Sequence, residues 1–335
     1  MRATRRLPAV LAASVLALVS GQANAADAEI SSPEGASPWR GSAITYEHSF
    51  SALSLNKSWD RDYNPYYAQS LALQPMWSFG DQFYLRGNWG FEQELTVSDT
   101  FDTRVPHEIV VSDLFVDVGA TGWSEPSTGI KVAGSLRFGL PISKKSAAET
   151  LYVALSPGLS LSKQFKVLEG LSVVYQGRYT YNFREHPTMQ YDGPKISCQP
   201  GSDCDRFSES GRRTAEYSFG HGPVVQLGVT PKLALFTSYT HTRARLYDLE
   251  DIVVEVPTSE GVILPGASGY NWRDTEWFGL GASYQLIDSV GVAVGVNTAH
   301  PQKQPDSEDY TRFFNRFTAF YVDLNVDVDA VTKLF

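Results

Sequence analysis

Residues 171–184 read LSVVYQGRYTYNFR. On an extended chain Leu171, Val173, Tyr175, Gly177, Tyr179, Tyr181 and Phe183 fall on one side. Ser172, Val174, Gln176, Arg178, Thr180, Asn182 and Arg184 fall on the other. A period of two with one apolar and one polar side predicts a strand that meets two different environments. Its length is well beyond the average of about five or six residues in soluble sheets, and is sufficient to cross a bilayer at a tilt.

The pattern recurs on both sides of this stretch. Phe83, Leu85, Gly87, Trp89 and Phe91 alternate with Tyr84, Arg86, Asn88, Gly90 and Glu92, and Ile130, Val132, Gly134, Leu136, Phe138 and Leu140 with Lys131, Ala133, Ser135, Arg137 and Gly139. Collecting such segments predicts about twelve strands. They lie near residues 42–53, 67–79, 82–96, 111–122, 130–140, 150–164, 171–184, 216–229, 232–246, 275–286, 289–298 and 314–329. The connections between them alternate short and long, the long ones being polar and falling near residues 54–66, 97–110, 142–149, 185–215, 247–274 and 299–313. Tight turns at one end and extended loops at the other are the layout of a transmembrane barrel, in which lipid cannot satisfy backbone polar groups and the sheet must close on itself.

Composition agrees. The 335 residues are 42% hydrophobic, 13% aromatic and 19% charged, with a mean hydropathy of -0.21. These values exclude a disordered chain, a disulfide-dense mini-protein and a bundle of apolar helical spans, yet permit a wall whose strands are apolar on one side only. A net charge of -9 without a long basic run argues against nucleic acid as a partner.

Residues 1–25 carry Arg2, Arg5 and Arg6, an apolar run and Ala23-Asn24-Ala25, the layout of a secretory signal peptide. Residues 26–41 then read as a short periplasmic segment and residues 42–335 as the barrel. Cleavage would leave 25 basic against 37 acidic side chains, a net charge near -12. Cys198 and Cys204, separated by QPGSD, are expected to form a disulfide in that oxidising compartment.

Signal peptide, amphipathic strands, a last strand FYVDLNVDVD and the terminal aromatic Phe335 together resemble the Gram-negative outer-membrane β-barrel proteins, as a porin-like class. The resemblance implies an all-β, antiparallel up-and-down barrel, contact with outer-membrane lipid and with the barrel-assembly machinery, and a C-terminal aromatic closing the last strand. Aromatic belts at the two membrane interfaces are expected from Trp77, Phe79, Phe83 and Tyr84 at one end and Tyr179, Tyr181, Phe183, Trp277 and Phe278 at the other.

With apolar sides facing lipid, Glu47, Arg86, Glu92, Glu94, Asp117, Lys131, Arg137, Arg178, Asp323 and Asn325 face inward. Counted from the short turns, Glu47, Arg86, Asp117, Arg137 and Arg178 reach similar depth, so these five are the expected pore-lining charges. Around an open lumen they would act on passing solutes; locked in pairs they would narrow it. The expectation is a channel for small hydrophilic solutes or ions, without enzymatic activity, cofactor or metal. Arg184, Arg243 and Arg245 would add positive field, unless Arg243 and Arg245 pair with Asp248, Glu250 or Asp251 nearby. The alternative is a structural or interaction barrel working through its outer loops, one of which carries a hairpin signal in Ile252, Val253, Val254, Glu255 and Val256, then Val262, Ile263 and Leu264. A lipid hydrolase built on His241 is a third reading, weakened because Thr242 and Arg243 stand where a nucleophilic serine motif would be. His48 and His221 sit on apolar sides and read as interfacial polar residues.

Overall fold

The computed structural model describes residues 37–333 apart from 53–65, 81, 97–106, 121, 192–207, 249–251, 255–261, 265–270, 302–309 and 316. The signal peptide, most of the segment at 26–41, both cysteines and Phe335 lie outside the described residues.

Twelve antiparallel strands form a closed wall. They are β1 (Ala43–Ser51), β2 (Tyr67–Gln74, continuing as Met76–Phe79 past Pro75), β3 (Phe83–Glu94), β4 (Leu114–Ala120, extended by Ile109–Val111 and Trp123–Ser124), β5 (Lys131–Leu140) and β6 (Leu151–Phe165). The second half is β7 (Gly170–Arg184), β8 (Ala215–Gly228), β9 (Leu233–Leu246), β10 (Trp272–Ile287), β11 (Val290–Pro301) and β12 (Thr318–Asp327). Each strand pairs with its sequence neighbours, and β1 pairs with β12 from Ala43↔Asp327 to Ser51↔Ala319, which removes the free edge. Above the long-loop rim, Thr188–Tyr191 pairs with Ser208–Arg213, and the anticipated hairpin Ile252–Val254 with Val262–Leu264 is present.

The alternation sorts as the sequence predicts. Val118, Leu159, Leu235, Leu280, Val294 and Val322 point outward and are exposed, while Asp117, Ser156, Asn182, Ser283 and Asp323 point inward and are buried. An outer surface of exposed aliphatic side chains around a polar interior is the inverse of a soluble core and fits a wall facing hydrocarbon. At the short-turn end Trp77, Phe79 and Phe83 stand outward, with Trp39 edge-on to Trp77 at 4.5 Å.

Three sequence expectations are corrected. Tyr84 and Trp277 are inward and buried, 1% and 5% exposed, rather than members of an interfacial belt. The ring of Tyr84 fills the space left by Gly119, and Trp277 that left by Gly279. Gly281 similarly accommodates Phe236 and the Tyr321 hydroxyl, so these glycines give inward aromatics room to lie against the wall. The last strand stops at Asp327, two residues before the alternation ends, because the Asp327 carboxylate accepts the amide of Ala330 at 3.1 Å and caps a short helix α1 (Val328–Thr332). The outward side of β10 and β11 carries Glu276 and His300, and both are sealed by the segment entering β12. Arg312 reaches Glu276 at 3.3 Å, and the Tyr310 ring packs on His300 at 5.4 Å.

Gly222 marks a tight approach between β8 and β9: a Cβ there would lie 1.9 Å from the Tyr239 carbonyl oxygen. Gly222→Ala is expected to cost about 1–3 kcal/mol, visible as a lowered unfolding midpoint in detergent. An unchanged midpoint would show that the two strands part without penalty.

Candidate functional site: the inward charges

Four of the five expected pore-lining residues form one cluster. Arg86 on β3, Asp117 on β4 and Arg137 on β5 stand in a single register row. The Arg137 guanidinium grips Asp117 through both oxygens, Nε to Oδ1 at 2.8 Å and Nη2 to Oδ2 at 2.9 Å. Arg86 approaches Oδ2 at 3.6 Å and Arg178, from β7, approaches Oδ1 at 3.5 Å. Two-point contact between guanidinium and carboxylate is the strongest ion-pair geometry available to side chains. Three guanidiniums thus surround one carboxylate.

Local sequence explains the reach of Arg178 across β6. Gly158 is its register partner, and a Cβ at that position would meet the guanidinium at 3.4 Å. Without one, Arg178 lies flat on the wall and donates to the Ser156 carbonyl and the Ser135 hydroxyl, each at 3.3 Å. Arg137 and Arg86 are backed by the rings of Phe115 and Tyr84, at 5.3 and 5.5 Å. Asp117 is wholly buried and the Arg137 side chain 3% exposed, whereas that of Arg178 is 16% exposed. The cluster is thus locked, with one arginine at its wetter edge.

Glu47 is inward and buried but does not join this cluster. It stands in register with Asp323 across the β1–β12 seam. Sequence parity placed both inside; their pairing depends on how the ring closes, which no local pattern encodes. Arg243 and Arg245 prove to be outward, stacked against Trp272 at 5.0 and 5.8 Å and paired with Asp274 and Asp248. They add nothing to the lumen. Arg184 is inward and held by Glu149 at 2.7 Å near the long-loop rim. His48 bonds the hydroxyls of Tyr46 and Tyr67, and His221 that of Tyr175, all on the outward side as interfacial polar residues. His241 meets Asp274 at 3.6 Å, but the outward residues flanking it on β9 are Tyr239 and Arg243.

No family model matches the chain, and no curated protein matches it. Among solved structures, an outer membrane channel from Pseudomonas putida F1 superposes with a TM-score of 0.51 at 11% identity, covering 88% of this chain and 98% of that one. The chain has the outer-membrane β-barrel fold. The NanC porin gives a TM-score of 0.41 at 9% identity over 85% of this chain and 98% of its own length. LpxR from Salmonella typhimurium gives 0.34 at 10% identity over 85% and 99%. The first of these likenesses supports the fold of this outer-membrane barrel.

Proposed function

We propose that the protein sits in a Gram-negative outer membrane as a narrow channel for small hydrophilic solutes or ions, with no catalytic role. The observation that carries this reading is the inward cluster of Arg86, Asp117, Arg137 and Arg178, four charged side chains gathered at one level of a closed wall. Burying so many charges inside a barrel is a poor route to stability alone, since desolvation offsets much of the attraction. The same arrangement sets several guanidiniums on the inner side of the wall, where charged side chains act on a passing solute. Twelve strands lie between the eight that side chains fill and the sixteen that leave a wide aqueous channel. Tyr84, Phe236, Trp277 and Tyr321 are also turned inward, so conductance should be small.

Planar-bilayer recording tests this. Discrete ohmic steps of low conductance are expected, and silence would move the function to the hairpins above the rim. Arg178→Glu, at the wetter edge of the cluster, should raise the cation-to-anion permeability ratio severalfold. Identical reversal potentials in a salt gradient would remove Arg178 from the path.

A further inference from the structure

The seam where the first and last strands meet carries an unbalanced acidic site. Glu92 on β3, Ser70 on β2, Glu47 on β1 and Asp323 on β12 occupy one register row, and all four face inward. Glu47 is 8% exposed and Asp323 not at all. Asp323 has no hydrogen-bond partner besides the facing carboxyl of Glu47. Among the described residues, every ion pair lies elsewhere. Two buried carboxylates side by side, with no basic partner among the described residues, are a strongly unfavourable pair when both are charged.

Independent groups converge on the same place. Ser70, 6% exposed, adjoins Glu47 in the row, and its hydroxyl has no partner. Tyr321 and Asn325 flank Asp323 on the inward side of β12; both are at least nine-tenths buried, and the Tyr321 hydroxyl and the Asn325 Nδ2 are also unpartnered. Asn325 is steadied by Thr45, which donates to its Oδ1 at 2.8 Å across the seam. Small side chains leave room: Ala293 is the register partner of Asp323, and Ala72 that of Thr45. Glu92, exposed and bonded by the Tyr66 hydroxyl, stands two strands away in the same row.

We infer that this seam binds one divalent, oxygen-seeking cation of the Ca²⁺ class between the carboxylates of Glu47 and Asp323, with the hydroxyl of Ser70 in reach as a further ligand. Two negative charges match one divalent ion, and carboxylate and hydroxyl oxygens are the donors that hard cations select. Because Glu47 and Asp323 belong to the two strands that close the ring, the ion acts as a clasp: with it the strands attract, without it they repel.

The full-length barrel in detergent micelles, stripped with EDTA and titrated with CaCl₂, tests the inference through thermal unfolding and the heat-dependent shift in gel mobility. Saturating Ca²⁺ should raise the unfolding temperature on the order of 5 °C. Glu47→Gln combined with Asp323→Asn should abolish that rise, and the stripped variant should melt above the stripped wild type. A wild type indifferent to Ca²⁺ overturns the site, as does a double variant that keeps the full rise. Should the double variant fail to fold, Ser70→Ala must shift the Ca²⁺ midpoint upward severalfold, and an unmoved midpoint overturns the assignment equally. The readout is binding, so a barrel that proves not to conduct leaves the inference intact.

Discussion

Asp117→Asn should lower the stability of the barrel by about 3–5 kcal/mol, the usual cost of leaving a buried charge without its partner. Asn keeps the shape of the side chain and removes only the charge, so Arg86, Arg137 and Arg178 are left facing one another in a pocket where Asp117 is wholly buried. Arg137 loses most, because both of its short hydrogen bonds run to that carboxylate. Unfolding in urea or guanidinium, with the variant and wild type in the same detergent, reads the difference directly. A loss below about 1 kcal/mol, the scale of an exposed pair, would mean that water reaches the guanidiniums and that the cluster is open rather than locked. Adding Arg137→Met to Asp117→Asn should recover part of the loss, since one uncompensated cation is then removed.

Val322→Arg is expected to cost about 2–4 kcal/mol in a lipid bilayer, the penalty for a basic side chain at the middle of a barrel's outer surface. Val322 is outward, 45% exposed and near the middle of β12. Its neighbour Asp323 is inward and buried, so two consecutive positions report opposite environments. Val322→Leu should be nearly silent. The contrast between Arg and Leu, measured by unfolding from vesicles, separates a wall in hydrocarbon from a wall in water. An arginine tolerated as well as leucine at this position would place the outer face of β12 in solvent.

Much of this was legible in the sequence because a strand reveals its two sides wherever the environments differ. Leu171 to Arg184 sorts into outward aromatic and aliphatic residues and inward polar ones with little exception, and parity alone put Arg86, Asp117, Arg137 and Arg178 inside. Similar depth then brought those four together. Parity fails where both sides carry similar residues. On β9, Thr240, Thr242 and Ala244 alternate with His241, Arg243 and Arg245, and only the register against β10 shows that the arginines face out onto Trp272. Aromatic residues mislead in the same way, because Tyr84 and Trp277 read as interfacial until the inward glycines at 119 and 279 are seen to make space for their rings. The Glu47 and Asp323 pair was beyond reach for a different reason: their neighbourhood is created by ring closure between opposite ends of the sequence.

That closure also orders events in time. The hydrogen bonds from Ala43↔Asp327 to Ser51↔Ala319, and the bond from the Val328 amide to the Ser42 carbonyl, join segments from opposite ends of the polypeptide. Contacts of such large sequence separation form slowly. One edge of the first strand therefore stays without its partner until the last strand is in place, however early its other edge pairs with β2.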